Sequence, residues 1–200
     1  MIKVCMADVI SAILAGGRNT RMGRDKATLV LDSGLLIQRV YGVAQEVFNT
    51  IVVVSNNHDV LPGMDVPIIR DVVAVQSPLA GIVSALMYTG ADYVFALACD
   101  MPFLSGEAMK HMLNNIAGED IIIPKTEKGY EPLHAIYGRS CISYMLTLLE
   151  RGRYKIRDIL PYLSVKVVKE APPFFCNGIS VFTNVNTQEE LEKALAVSKG

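Results

Sequence analysis

Charge of neither sign prevails in this chain. Lys and Arg number 19 against 20 for Asp and Glu, a formal net charge of −1. Bulk electrostatics therefore offers nothing to a nucleic acid, and any anion recognition has to come from a local cluster. Cysteine is sparse: Cys5, Cys99, Cys141 and Cys176 are scattered, with no CxxC pair, which argues against a zinc site or a disulfide framework. Cys99 and Cys141 adjoin apolar segments and read as buried, reduced thiols. His58, His111 and His134 show no metal-ligand spacing either. Long apolar runs are missing, and none could span a bilayer. Nor does a basic start lead into an apolar core and a small-residue cleavage site. The expectation is a cytoplasmic, soluble protein with neither membrane nor nucleic acid as partner. No repeat, low-complexity segment or linker divides the sequence, and 200 residues suit one domain, 1–200, able to bury a sizeable core without staples.

Two familiar phosphate loops are also missing. The Walker loop needs GxxxxGK[ST], but Gly17 and Gly23 are too far apart and Arg24, not lysine, follows Gly23. The dinucleotide fingerprint needs GxGxxG, but the first two glycines here are adjacent. What is present is the stretch from Ser11 to Lys26. An apolar run ending at Leu14 gives way to Ala15-Gly16-Gly17, then to a loop carrying Arg18, Arg21, Arg24 and Lys26. A short apolar run stopped by glycines reads as a buried strand emptying into a loop. Backbone N–H groups in such a turn make a concave anion site, and the cations suit a polyphosphate.

Apolar runs at Val9–Leu14, Thr50–Val54, Val66–Ile69, Tyr93–Ala98, Asp120–Pro124, Leu133–Tyr137, Val165–Val168 and Ile179–Phe182 read as strands, with a brief extension at Thr28–Leu31. Leu36–Val47 carries apolar residues at helical spacing. Ser77 is placed to cap a helix with Pro78 in its first position, running to about Tyr88. Ser105 would cap another to Ile116, Ser140–Glu150 is helical by period, and Thr187 with Glu190 makes a capping box for a last helix. The stretch Thr126–Tyr130 reads as a surface hairpin. Alternating strands and helices predict an α/β fold, a Rossmann-like three-layer sandwich around a mainly parallel sheet. In such sheets ligands bind beyond the carboxyl ends of the strands. The Gly-rich loop, Asp71 and Asp100 each follow a predicted strand directly, so three strand ends converge on one site.

The pattern LAGGxxxRMGxDK resembles the signature loop of the sugar-phosphate and cofactor nucleotidyltransferases, and within them the molybdenum cofactor guanylyltransferases. Further segments agree in order: Asp71 before Ser77-Pro78-Leu79-Ala80-Gly81, then CDMPF around Asp100, PLHAIY at 132–137, and FTNVNT at 182–187. The resemblance implies a nucleotide-diphospho-sugar transferase fold. It implies that Leu14, Ala15, Gly16 and Gly17 line the nucleotide, and that Lys26 and Arg21 hold its phosphates and act in catalysis. It implies that Asp100 carries Mg²⁺, that Asp71 helps to bind guanine, and that Asn184 and Asn186 lie on the pterin side. Each position has a plainer reading as well. Lys26 and Arg21 could be solvated loop residues, Asp71 and Asp100 turn aspartates, and Asn186 or Thr187 a helix cap. Ser77 stands where glycine is usual in the family. An asparagine is usual after the second strand, where Ser55 aligns and Asn56 is next; the choice between them stays open. His134 reads as a packed histidine, and Arg151, Arg153, Lys155 and Arg157 as a solvated helix end.

The activity so implied moves GMP from GTP to the terminal phosphate of molybdopterin or the molybdenum cofactor, releasing pyrophosphate, with Mg²⁺ as cofactor. Proteins that deliver the cofactor or receive it are further possible partners. A cytidylyl- or sugar-phosphate nucleotidyltransferase is an alternative, which the adjacent Gly16-Gly17 disfavours. A non-catalytic nucleotide-binding regulator is another, which the joint presence of Lys26 and Asp100 disfavours.

Overall fold

The computed structural model describes residues 7–15, 30–31, 34–56, 64–185, 187, 189–190 and 192. In chain order its strands and helices are β1 (Val9–Leu14), β2 (Val30–Leu31), β3 (Gly34–Leu35), α1 (Leu36–Gln45), β4 (Ile51–Val54), β5 (Ile68–Ile69), α2 (Pro78–Thr89), β6 (Tyr93–Ala98), α3 (Gly106–Leu113), β7 (Ile121–Thr126), β8 (Gly129–Tyr130), β9 (His134–Gly138), α4 (Cys141–Glu150), β10 (Val165–Lys169), β11 (Phe175–Cys176) and β12 (Ile179–Ser180).

One sheet runs β10-β7-β9-β6-β1-β4-β5, with β8 paired to β7. β1 lies parallel to β4 and β6, β4 to β5, and β7 to β10. Only β9 runs against β6 and β7 in that order. The connection from β7 to β9 spans residues 127–133, too short for a parallel crossover, which needs a dozen or more residues. It turns instead through the β8 hairpin predicted at Thr126–Tyr130. The strand expected at Ile179–Phe182 is shorter and lies off this sheet: β12 pairs antiparallel with β11. Asn177 at φ 50 and Gly178 at φ 76 form the turn between them, the left-handed pair that a two-residue hairpin loop requires.

Side-chain alternation builds the two cores. Ile10, Ala12 and Leu14 of β1, with Val94 and Ala96 of β6, face α2 and α4. Ile13, with Phe95 and Leu97, faces α1 and α3. Successive strand residues point to opposite faces, so a strand with apolar residues throughout has to be covered on both sides. This is the three-layer sandwich expected. α2 packs on β1, β4, β5 and β6 and against α4, and every residue from Leu79 to Leu86 is buried.

The helix starts follow the sequence. Ser77 Oγ accepts from Ala80 N at 3.1 Å and Pro78 opens α2. Ser105 Oγ accepts from Ala108 N at 3.2 Å at the start of α3. Leu35 N donates to Gln38 Oε1 at 2.7 Å ahead of α1. Such caps satisfy N–H groups that have no partner inside the helix. Thr187 Oγ1 accepts from Glu190 N at 3.1 Å, one half of the box expected there.

Candidate active site

β1 is the switch point of the sheet, with β4 and β5 on one side and β6 on the other. The crevice beyond such a point is where open α/β sheets take ligands. Three strand ends are tied together there. Ala15 N donates to Val54 O, and Ser55 N to Ile69 O, each at 2.9 Å. Leu14, Ser55, Asn56, Asp71, Gln76, Ser77 and Gly81 line a cleft at this edge. A Cβ added at Gly81 would stand 3.1 Å from Leu14 Cδ2, so glycine lets α2 approach the end of β1.

Asp71 is the polar focus of the cleft. Asn56 Nδ2 donates to Asp71 Oδ2 at 2.9 Å, and Asp71 N donates to Asn56 Oδ1 at 3.2 Å. Asp71 Oδ1 is buried without a hydrogen-bond partner among the described residues. A buried acceptor left unpaired costs about 1–3 kcal/mol, so an arriving N–H donor is favoured. Burial pushes the Asp71 carboxyl above its ordinary value, and the Asn56 bond draws it partly back. Behind it, Val72 N donates to Ser84 Oγ at 2.9 Å, and that hydroxyl donates to Ala80 O at 2.7 Å. The Asp71 segment is thereby fixed to α2. Both candidates for the family asparagine sit in the cleft: Ser55 is buried in its wall, and Asn56 clasps Asp71. Ser77 has φ −151 and ψ 153, extended backbone that any residue adopts, so serine meets no strain where glycine is usual.

Asp100 follows β6 on the other side of β1 and is 9% exposed. Its carbonyl accepts from Val185 N at 3.0 Å, bringing the segment that carries Asn184 to the Asp100 turn. Arg39 on α1 donates through Nε to Pro102 O at 2.7 Å and braces the same turn from beneath. Nothing in the sequence near Arg39 marks it for this, because its partner lies on a distant element. Gln76 lines the cleft too, and its only local signal is its position just before the Ser77-Pro78 cap.

Gly16, Gly17, Arg21, Lys26 and Asn186 lie outside the described residues. Asn184 is exposed. The basic residues Arg151, Arg153, Lys155 and Arg157 are exposed, and Arg153 Nε pairs with Asp158 Oδ2 at 3.2 Å. His134 is fully buried, its ring 5.1 Å from Phe95 and 5.4 Å from Phe182. Burial draws its pKa down to about 3, so it is a neutral core residue. Cys99 and Cys141 are buried, and burial with Asp120 nearby pushes the Cys141 thiol up to about 12. Among the described residues no helix is long and apolar enough to cross a membrane.

Residues 11–168 match the model of the MobA-like NTP transferase domain. The chain belongs to this family. Within it, the sequence is 34% identical over 197 residues to a molybdenum cofactor guanylyltransferase of Desulfosudis oleivorans, covering 97% of this chain and 98% of that one. The crystal structure of molybdopterin-guanine dinucleotide biosynthesis protein A from Archaeoglobus fulgidus superposes with a TM-score of 0.81 at 27% identity, over 95% of this chain and 98% of that one. A CMP:2-keto-3-deoxy-manno-octonic acid synthetase shares the fold alone, with a TM-score of 0.74 at 14% identity, over 96% and 99%. In this nucleotidyltransferase family setting, the cleft between β1 and α2 and the turn after β6 flank the start of the signature loop.

Proposed function

We propose that this chain is a molybdenum cofactor guanylyltransferase, a single nucleotidyltransferase domain over 1–200 that transfers GMP from GTP to the terminal phosphate of molybdopterin or its metal-bearing form. The observation that carries the choice of base is Asp71 Oδ1, buried at the switch-point cleft and unpartnered among the described residues. Guanine presents N1–H and N2–H side by side, two donors for a carboxylate. Cytosine and adenine present an acceptor next to their amino group. A site built on hydrogen bonds rejects a base that leaves them unmade. The names of full-length relatives agree with this reading.

In the reaction an oxygen of the acceptor phosphate forms a bond to the α-phosphorus of GTP. The bond from that phosphorus to the α,β-bridging oxygen breaks, and pyrophosphate leaves with the electron pair. The acceptor phosphate is largely dianionic near neutral pH, its second pKa being about 6, so no strong general base is needed. The work of the protein is positioning and charge neutralisation. Leu14, Ala15, Gly16 and Gly17 would hold the nucleotide against the strand end, Ser55 and Asp71 its base. Lys26 and Arg21 would grip phosphate oxygens, and Asn184 and Asn186 would face the acceptor.

Asp100 suits Mg²⁺, which takes one or two carboxylates and completes its shell with phosphate oxygens and water. Its nearly buried carboxylate at a strand end is a donor set of that kind, and no cage of three acidic, His or Cys residues stands among the described residues. When bound, the metal would offset charge on the triphosphate and the departing pyrophosphate. The same reading places the protein in the cytoplasm, with cofactor-delivery and acceptor proteins as possible partners.

The test supplies purified protein with Mg²⁺, molybdopterin and each of the four nucleoside triphosphates, reading product mass. The guanine dinucleotide form should dominate, with kcat/KM for GTP at least about tenfold above the others, the scale of one interaction of roughly 1.4 kcal/mol. Equal or better use of CTP would make the protein a cytidylyltransferase instead.

A further inference from the structure

A second cavity opens at the same edge of the sheet, on the far side of Asp100 from the Asp71 cleft. It encloses about 240 Å³ and is lined by Thr126, Lys128, Glu131, Glu170, Phe182 and Thr183, among others. Its place follows from the strand order. The Asp71 cleft belongs to β1, β4 and β5, whereas this cavity lies over β9, β7 and β10. Two links tie it to the Asp100 turn. Ala98 N donates to Leu133 O at 3.2 Å, joining the end of β6 to the Glu131-Pro132-Leu133 segment. Phe182 and Thr183 stand just before Val185, whose N–H bonds to Asp100 O at 3.0 Å. The cavity thus borders both segments that are bonded to the end of β6 and its turn, on the side away from the Asp71 cleft.

The lining selects what a ligand offers. Phe182, packed on His134 and Phe174, contributes an apolar edge to the lining. Glu131 is half-buried, and burial is the main influence on its carboxyl, pushing it up, with Thr126 and Lys128 drawing it back and Glu170 adding to the rise. The one hydrogen bond to this carboxylate among the described residues is long: Thr126 Oγ1 to Oε1 at 3.4 Å. That hydroxyl is also 3.3 Å from Gly129 O, and its single proton is divided between the two acceptors. The backbone holds the residue in place through Glu131 N to Pro124 O at 3.0 Å. A fixed, partly desolvated carboxylate short of donors suits a planar group with two adjacent N–H bonds, as in bidentate carboxylate pairing. A pterin carries such a pair on its 2-amino-4-oxopyrimidine edge.

We propose that Glu131 reads the 2-amino-4-oxopyrimidine edge of the pterin-bearing acceptor in this cavity. The inference rests on the guanylyltransferase reading for the identity of the acceptor. It assigns to Glu131 the discrimination between pterins and heterocycles that lack the 2-amino donor. The two carboxylates then divide the selectivity of the enzyme, Asp71 for the base of the nucleotide and Glu131 for the ring of the acceptor.

The test uses binding, so that it stands apart from turnover. Fluorescence titrations compare 6-hydroxymethylpterin phosphate with its lumazine counterpart, in which a 2-oxo group replaces the 2-amino group. Wild-type protein should bind the pterin at least tenfold more tightly. Glu131→Gln, which keeps one acceptor oxygen but sets an amide N–H donor in place of the other, should reduce that preference to within about twofold while leaving the Kd for GTP unchanged. Glu131→Ala should do the same, and melting curves confirm that both variants fold. An unchanged preference in both variants would overturn the proposal. So would wild-type protein that binds the two probes equally, or binds neither while using molybdopterin as acceptor. Intact pterin discrimination that depends on Glu131, in a protein that forms no guanylylated product, would support the cavity assignment and refute the guanylyltransferase reading.

Discussion

Asn56 and Asp71 hold each other by two hydrogen bonds across the ends of β4 and β5, Nδ2 to Oδ2 at 2.9 Å and the Asp71 N–H to Oδ1 at 3.2 Å. The clasp fixes the carboxylate plane, satisfies one oxygen and leaves Oδ1 buried without a partner among the described residues. An asparagine in this place acts on a ligand through the aspartate it orients. Burial and the Asn56 bond pull the Asp71 carboxyl in opposite directions, with burial the larger effect.

GTP affinity should therefore depend on pH through Asp71. The ionised carboxylate accepts from guanine, so binding is full above its pKa and lost as pH falls through it. That pKa lies above the ordinary 3.8 because burial raises it. Asn56→Ala removes the opposing bond and should shift the loss of GTP binding to higher pH. Asp71→Asn should abolish this pH dependence and cut the preference for GTP over CTP by at least about tenfold. Calorimetric titrations of GTP from pH 4 to 7 check both; an unaltered midpoint in Asn56→Ala would refute the role given to the clasp.

Asp100→Asn separates a turn aspartate from a metal ligand. Asparagine makes the same local turn hydrogen bonds but lacks the charge that a hard cation prefers. The variant should fold, need more Mg²⁺, and lose kcat by about tenfold or more even at excess Mg²⁺. Mg²⁺ titrations of pyrophosphate release, with a melting curve, measure this. Superimposable curves for variant and wild type would remove Asp100 from the site.

Lys26→Ala tests the signature loop. A preorganised charge facing a transferring phosphoryl group supplies about a hundredfold or more in rate. The variant should fold normally and turn over at least about a hundredfold more slowly, measured as pyrophosphate release at saturating GTP. Wild-type rates would make Lys26 a surface residue.

His134 predicts how acid acts on stability. Neither ring nitrogen has a hydrogen-bond partner among the described residues, and burial lowers the pKa from 6.5 to about 3. Between those values the unfolded chain binds a proton that the folded chain does not. Stability is therefore full above pH 6.5 and falls as pH drops towards 3, with a slope of at most about 1.4 kcal/mol per pH unit from this residue. His134→Leu should remove that contribution from denaturation midpoints measured across the range. Parallel pH profiles for variant and wild type would contradict it.

The sequence alone determined the elements whose causes are local. β1 and β6 appear where apolar runs of strand length end at polar turns, and α2 and α3 begin where Ser77 and Ser105 can cap. The three-layer arrangement followed as well, because strands apolar on both faces need helices on both sides. Asp71 and Asp100 were legible as residues just past strand ends. The tertiary structure alone decided how those ends meet. The reversed direction of β9 was implicit in the short connection 127–133, yet apolar patterning carries no direction. The Asn56–Asp71 clasp, the Arg39 brace on Pro102 and the Val185 bond to the Asp100 carbonyl each join residues from different elements. Side-chain pattern records which face of its own element a residue occupies, and hydrogen bonds between distant segments exist only once strand order sets those segments side by side.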